Sequence, residues 1–445
     1  MSLAGDFQGF VPDFVSTYPP RKGGIVEFTK DTASALGIYE DDIGSIRVQA
    51  IDKEQLDYGY PVSERDVIDQ MDPTSWMQNG AERIIARSRT QEKKGFRVVG
   101  IFQHEYGLDG DGKGKNFNRV SRALNQENIP HIAVLHTILK DPNDHQREVL
   151  EGLGETCNKV VILTPSAHQI LEEIYGIEHE KIIYIPHGVP ESHKGTSMRE
   201  LKDKWGLKIG RQERRVISTV GLLSEGKGVE YGIKAFRQLL DEVPESFKDQ
   251  MMYVVAGQTH PEIIKREGEQ YREKLIDLAR EEGLRPVSTT GDNLGYSEAN
   301  VIFLNRYLSD KEFSEIIKAS DLLLLPYLDF QQTSSGPLFY GVGLGTPVVA
   351  SKFAGAKDLF TDETGQYDRS GVLVDVEDVK SITEGLKEAF MNAPEIALRG
   401  YRKGVSMGWS VVGRAYVNLF REVALFERER EASRVPFFND KNEGK

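Results

Sequence analysis

Val216-Ile-Ser-Thr-Val-Gly-Leu-Leu-Ser-Glu-Gly-Lys-Gly228 runs from a β-branched apolar stretch through a glycine-punctuated turn into a helical pattern that continues to about 241. A strand, a glycine-rich turn and a helix in that order are the opening half of a parallel βαβ unit. The turn of such a unit lies beyond the carboxyl end of its strand, where open α/β sheets bind ligands. Glycines let backbone amides approach a ligand, and the helix start behind them favours an anion. Lys227 stands where an ammonium would meet a diphosphate, and Gly221 opens the turn. A lone lysine is more often simply solvated. Its place after the first strand of a new rhythm favours binding.

The same rhythm extends outward in both directions. Downstream, strand patterns at Met252–Ala256, Val301–Leu304, Leu322–Pro326 and Pro347–Ala350 alternate with helical patterns at 262–283, 310–319 and 336–344, and a last helix covers about 409–430. Upstream, strand candidates at 10–17, 45–51, 97–103, 131–135, 159–163 and 182–185 enclose helices such as 25–37 and 145–153. The stretch 190–215 changes texture and reads as an interdomain linker. The expected fold is therefore α/β, with two Rossmann-like doubly wound domains, in keeping with 445 residues being too long for one ordinary core.

Bulk properties exclude several classes. Hydrophobic residues at 39% with charged residues at 28% describe a globular chain rather than a disordered one. No run reaches the length of a membrane helix, and the first residues carry no signal-peptide pattern. Cys157 is the single cysteine, which fits a reducing compartment, so a cytoplasmic location is expected. A net charge of −13 argues against nucleic acid as a partner. It lends no support to peripheral membrane contact either, although a local basic patch is left open. The oligomeric state is not read from the sequence.

Three further loops carry candidate chemistry. Pro19-Pro-Arg-Lys-Gly-Gly-Ile25 joins the first strand to the first helix, and Gly23 and Gly24 would let amides reach an anion; an ordinary tight turn is the equal alternative. Gln331-Gln-Thr-Ser-Ser-Gly-Pro337 runs into the next helix. Its Thr333, Ser334, Ser335, Gly336 and Pro337, with Leu338 behind them, form a tract longer than helix capping requires. His104 and His136 both follow strands, at ends where ligands bind, though any one histidine is more often structural. Two motifs fail. Gly107-Leu-Asp-Gly-Asp-Gly-Lys-Gly114 lacks the hydroxyl of a P-loop, and its aspartates lack the closing glutamate of a calcium loop. No metal site and no cofactor are expected.

Taken together these loops resemble family 4 retaining glycosyltransferases of the GT-B fold, and the mannosyltransferase-like subgroup in particular. The likeness rests on Gly23-Gly24, Leu135-His136-Thr137, Ile185-Pro-His-Gly-Val189, Val220–Gly228, Ala319–Pro326, Gly345-Thr-Pro-Val-Val-Ala-Ser351 and a C-terminal helix opened by Trp409. It implies two domains facing a cleft. Residues 1–205 would form the acceptor side, completed by a helix at about 409–432 that crosses back to it, and residues 213–405 would bind the nucleotide-sugar donor. The sequence departs from the family where two glutamates are usual: counting back from Gly345, those positions hold Gln332 and Tyr340.

The resemblance implies metal-free transfer of a hexose from a nucleotide sugar, with GDP-mannose the first guess and UDP-glucose the next. The acceptor would be a hydroxyl on a carbohydrate, lipid-linked or small-molecule partner, and anomeric configuration would be retained. The nucleotide sugar is a substrate, not a cofactor. His136, Lys227 and Gln332 are the implied catalytic residues, with His104 and Tyr340 as sugar or acceptor contacts. A retaining glycosyl phosphorylase and a catalytically silent nucleotide-sugar-binding protein are the alternatives.

Overall fold

The computed structural model describes residues 7–53, 65–110, 115–190, 196–209, 212–362 and 364–434. Asp111 to Gly114 of the failed P-loop, and parts of the expected linker (191–195 and 210–211), lie outside the described residues. The chain divides into two compact units, Met1–Ile185 with Ser410–Lys445, and Pro186–Trp409.

In the first unit, β1 (Gly9–Ser16), β2 (Arg47–Asp52), β3 (Arg65–Asp69), β4 (Phe96–His104), β5 (His131–Leu135), β6 (Lys159–Ile162) and β7 (Ile182–Tyr184) form one parallel sheet in the order β3-β2-β1-β4-β5-β6-β7. Strand order reverses between β1 and β4, so the loops after those two strands flank the switch-point crevice of this sheet. Its central strands are buried along nearly their whole length, as both-sided helix cover demands. The helix Trp409–Arg434 belongs to this unit from Ser410 onward. Tyr416, Val417, Phe420 and Val423 are buried, Phe420 meets Phe10 at 6.1 Å between ring centroids, and Asp42 pairs with Arg414 at 3.0 Å and with Arg421.

After a short hairpin of β8 (Lys208–Ile209) and β9 (Gln212–Glu213), the second unit builds its own parallel sheet. It comprises β10 (Arg215–Val220), β11 (Met251–Ala256), β12 (Pro286–Thr289), β13 (Val301–Leu304), β14 (Leu322–Leu325), β15 (Val348–Ser351) and β16 (Val372–Val374), ordered β12-β13-β11-β10-β14-β15-β16. The reversal here falls between β10 and β14.

Several expectations need correction. The stretch expected as a linker is integral to the second unit, which begins at Pro186 rather than near 213. Ser197 caps the helix Met198–Lys204, Trp205 is buried, and Lys202 is buried against Asp321 at 2.6 Å, which also accepts from the Val216 amide. A polar, charged surface pattern concealed one long-range ion pair. The helix expected over 262–283 is two, Pro261–Glu267 and Gln270–Glu281, broken where Gly268 takes φ 66°. The strands β3, β12 and β16 and the helices Val379–Met391 and Ala393–Val405 had no counterpart in the sequence reading.

Candidate functional site

The turn after β10 is shaped by close backbone approach. Gly221 sits at φ 131°, and its amide donates to Ala256 O at the end of β11. A Cβ on the neighbouring Gly257 would fall 1.9 Å from Gly221 O, so no side chain fits there. Gly228 takes φ 59°, and a Cβ on it would lie 2.0 Å from Pro326 O. The Leu328 amide also donates to Gly226 O at 3.0 Å. The glycine loop is thus sewn to the segment leaving β14, across the switch point.

That segment supplies a residue the sequence reading missed. Tyr327 is fully buried and stacks on Phe353 at 5.1 Å, and the Lys227 ammonium lies 3.8 Å above its ring centroid. Lys227 makes no hydrogen bond or ion pair with a carboxylate among the described residues. The aromatic face steadies the cation without neutralising it. Ser335 Oγ donates to the Tyr327 hydroxyl at 3.3 Å. Ser335 is also the residue before the helix Gly336–Leu344, yet its side chain makes no cap to that helix. The first-turn amides of Gly336 and Leu338 therefore keep the helix's positive end uncapped, beside Lys227's aromatic platform. Pro337 packs toward the Gly221 turn, since a Cβ on Gly221 would come within 3.8 Å of its ring. Gly221, Lys227, Ser335, Gly336, Pro337 and Leu338 gather at one end of one sheet. An ammonium and uncapped first-turn amides are groups that attract an anion.

Other expected residues stand differently. Gln332 Nε2 donates to Ser334 O at 2.8 Å, and Gln332 O accepts from the Gly355 amide at 3.0 Å. Its amide nitrogen holds its own loop, and the side chain is half-buried. Thr333 is buried, and its carbonyl lies 2.4 Å from where a Gly355 Cβ would stand. Ser334 is half-buried in the same loop. Tyr340 faces inward and meets Phe313 edge-on at 5.2 Å, 8% exposed, which places it in the core rather than at a sugar.

In the first unit, Gly23 precedes the helix Gly24–Gly37, and a side chain on Gly24 would meet open space. His136 follows β5, its amide donating to His104 O at 3.1 Å and its Nε2 to Gln103 Oε1 at 2.7 Å, and its ring meets Phe28 of that helix edge-on at 4.9 Å. His104 does not belong with it. It is wholly buried between Tyr106 and Phe117, with neither ring nitrogen hydrogen-bonded, and burial depresses its pKa to about 3. It is a neutral core residue, not a sugar contact. The next residue, Glu105, was missed: it accepts from Thr137 Oγ1 at 2.6 Å and from the Tyr106 amide, while burial pushes its pKa up. Alternation along the strand carries that signal, because successive residues point to opposite faces.

Residues 202–399 match the family model described as glycosyl transferases group 1. A stretch of 206 residues is 23% identical to mannosylfructose-phosphate synthase from Agrobacterium fabrum, covering 45% of this chain and 39% of that protein, so the match spans about two fifths of the relative's length. Among solved structures, Anabaena HepE in complex with UDP aligns over 93% of this chain and all of its own, with TM-score 0.65 and 14% identity. Sucrose-phosphate synthase from Thermosynechococcus elongatus aligns over 94% of this chain and all of its own, also with TM-score 0.65 and 14% identity. Among the described residues no helix is long and apolar enough to cross a membrane. The chain has the GT-B fold, and its second unit carries the match to the group 1 glycosyl transferases.

Proposed function

We propose that the protein transfers a hexose from a nucleotide sugar to an acceptor hydroxyl, with retention of configuration and without a metal in the transfer step. One observation carries the reading: Lys227, held on the Tyr327 ring, stands beside the uncapped N-terminus of Gly336–Leu344 at the switch point of the second sheet. Transfer breaks the bond between the anomeric carbon and the donor phosphate oxygen, and charge grows on that oxygen. An ammonium and a helix N-terminus, set in advance, stabilise such charge. The acceptor hydroxyl attacks the anomeric carbon from the face the diphosphate leaves, and its proton passes to a phosphate oxygen. His136 is assigned to the transferred sugar, and the first unit to the acceptor. GDP-mannose is the first donor to test and UDP-glucose the second; the names of the relatives, a mannosylfructose-phosphate synthase and a UDP-bound HepE, support both choices. A cytoplasmic setting agrees with the lone, buried Cys157.

A thermal-shift screen of GDP, UDP and ADP with their sugars identifies the base, because a ligand that binds only the folded chain raises its melting temperature. Release of that nucleoside diphosphate in the presence of sugar and sugar-phosphate acceptors, undiminished by EDTA, is the expected result. No shift with any nucleotide sinks the proposal. A second reading, a nucleotide-sugar binder without transfer, is favoured by Tyr340 being turned into the core and the Gln332 amide nitrogen being held by its own loop. A selective shift with no diphosphate release over a broad acceptor panel would decide for it.

A further inference from the structure

His168 and Glu172 lie one turn apart on the helix Ala167–Tyr175, and His179 opens the short turn that follows. We propose that these three side chains form a binding site for a divalent transition-metal ion such as Zn2+, in the first unit, remote in sequence from every loop assigned to transfer. The spacing i, i+4 puts His168 and Glu172 on one helix face. His179 comes from the far side of the helix end, so the ligands converge from two backbone segments.

The geometry is nearly that of a metal site already. Glu172 accepts from His179 Nδ1 at 2.8 Å and lies 3.3 Å from His168 Nδ1, and the centroids of the two rings stand 4.5 Å apart. One ligand atom from each of the three lies within 4.8 Å of the others. A tetrahedral Zn2+ with bonds near 2 Å wants its ligand atoms roughly 3.4 Å apart, so rotamer adjustment of about an ångström closes the set. Two imidazoles and a carboxylate are the donor types that suit such an ion, and three protein ligands leave a fourth position for water.

The backbone is fixed before any ion arrives. Gly176 ends the helix in the left-handed region at φ 62°, and the amides of Gly176 and Ile177 both return to Leu171 O. Ile177 is buried, and a Cβ on Gly154 would lie 2.7 Å from it, so the turn bearing His179 is pinned to the helix Asp144–Thr156. Only side chains must move. Exposed Glu173, Glu178 and Glu180 add negative charge around the site. No carboxylate or carbonyl holds the far nitrogens of the two rings among the described residues, so micromolar rather than nanomolar affinity is expected.

The test uses the untagged 445-residue chain, stripped with a chelator and titrated with Zn2+ in competition with a chromophoric chelator. The wild type should take up one equivalent at this site. His168→Gln and His179→Gln should each weaken that equivalent at least 10-fold, and the double variant should abolish it. Both residues are partly or largely exposed, so the variants should melt as the wild type does without metal. Co2+ gives a second readout, a visible absorption band that depends on the same two histidines. Equal uptake by the wild type and the double variant would overturn the proposal, as would no uptake by the wild type at millimolar Zn2+.

Discussion

Lys227 shows how a single side chain acquires a role from its neighbours. Its flanking glycines were visible in the sequence, but the ring beneath its ammonium was not, because Tyr327 lies far downstream and reads as one more aromatic after an apolar strand. Lys227→Ala should lower kcat/KM about 100-fold or more in a transfer assay, while the melting temperature stays near that of the wild type. Tyr327→Phe keeps the ring and removes only the contact to Ser335, so its effect should be much smaller. Burial also decides the histidines. His104, His131 and His187 are held neutral, with pKa values near 3, 4 and 4 against an ordinary 6.5. Below pH 6.5 the unfolded chain binds protons that the folded chain refuses. Each histidine's contribution is therefore whole above that pH and falls away as pH drops toward 4, by up to about 1.4 kcal/mol per pH unit. Asp109, raised to about 7 by burial, works in the opposite sense between its ordinary 3.8 and 7. His104→Phe removes one histidine contribution and leaves the rest. Its urea-unfolding free energy should fall less between pH 7 and pH 5 than the wild type's does. An equal fall would mean that His104 is not the neutral group described.

Among the elements, the strands that were easiest to read are the buried, β-branched ones: β10, β11, β13, β14 and β15 all match expected stretches to within a residue or two. β12 escaped because Pro286-Val-Ser-Thr289 is half-polar and only partly covered at the sheet edge, and β16 because it is three residues long. Loop positions were legible as glycine-rich, but which glycine matters was not, since that depends on what passes overhead. Gly257→Ala and Gly226→Ala make the contrast. The first would drive a Cβ into Gly221 O at 1.9 Å, whereas the second meets nothing within 4 Å. Gly257→Ala should cost about 2–4 kcal/mol in urea unfolding and weaken nucleotide binding, while Gly226→Ala should leave both nearly unchanged. The motif Ile185-Pro-His-Gly-Val189 has a similar packing cause. His187 stacks on Phe339 at 4.9 Å, and Gly188 has no room for a side chain because the Trp409 indole would lie 2.1 Å from its Cβ.

At the scale of the molecule, each unit carries its own parallel sheet with its own switch point, and all the candidate phosphate contacts except Gly23 and Gly24 lie in the second. Hydrogen exchange makes this visible. The nucleoside diphosphate that stabilises the protein should slow amide exchange in 219–228 and 333–340, and leave β5 and β6 of the first unit unchanged. Protection spread evenly over both sheets would contradict a phosphate site built within the second unit. The repeated strand–helix rhythm made two such sheets legible. The place where the chain passes between them was not, because the charged 190–215 stretch resembles a linker while Lys202 and Trp205 are buried.

The second unit is an insertion within the first, since the chain leaves the first at Ile185 and rejoins it at Ser410. The two passages are clasped where Val189 bridges Gly408, its amide donating to Met407 O and its carbonyl accepting from Trp409 N. On the ribosome this reverses the usual order of completion. Residues 186–409 can close their sheet as they emerge, while the earlier 185 residues wait for Tyr416, Phe420 and Val423 to cover them. At ordinary elongation speeds that wait lasts roughly 10 to 45 seconds, a window in which the first sheet's uncovered apolar face is open to chaperones or to mispairing with a neighbouring nascent chain.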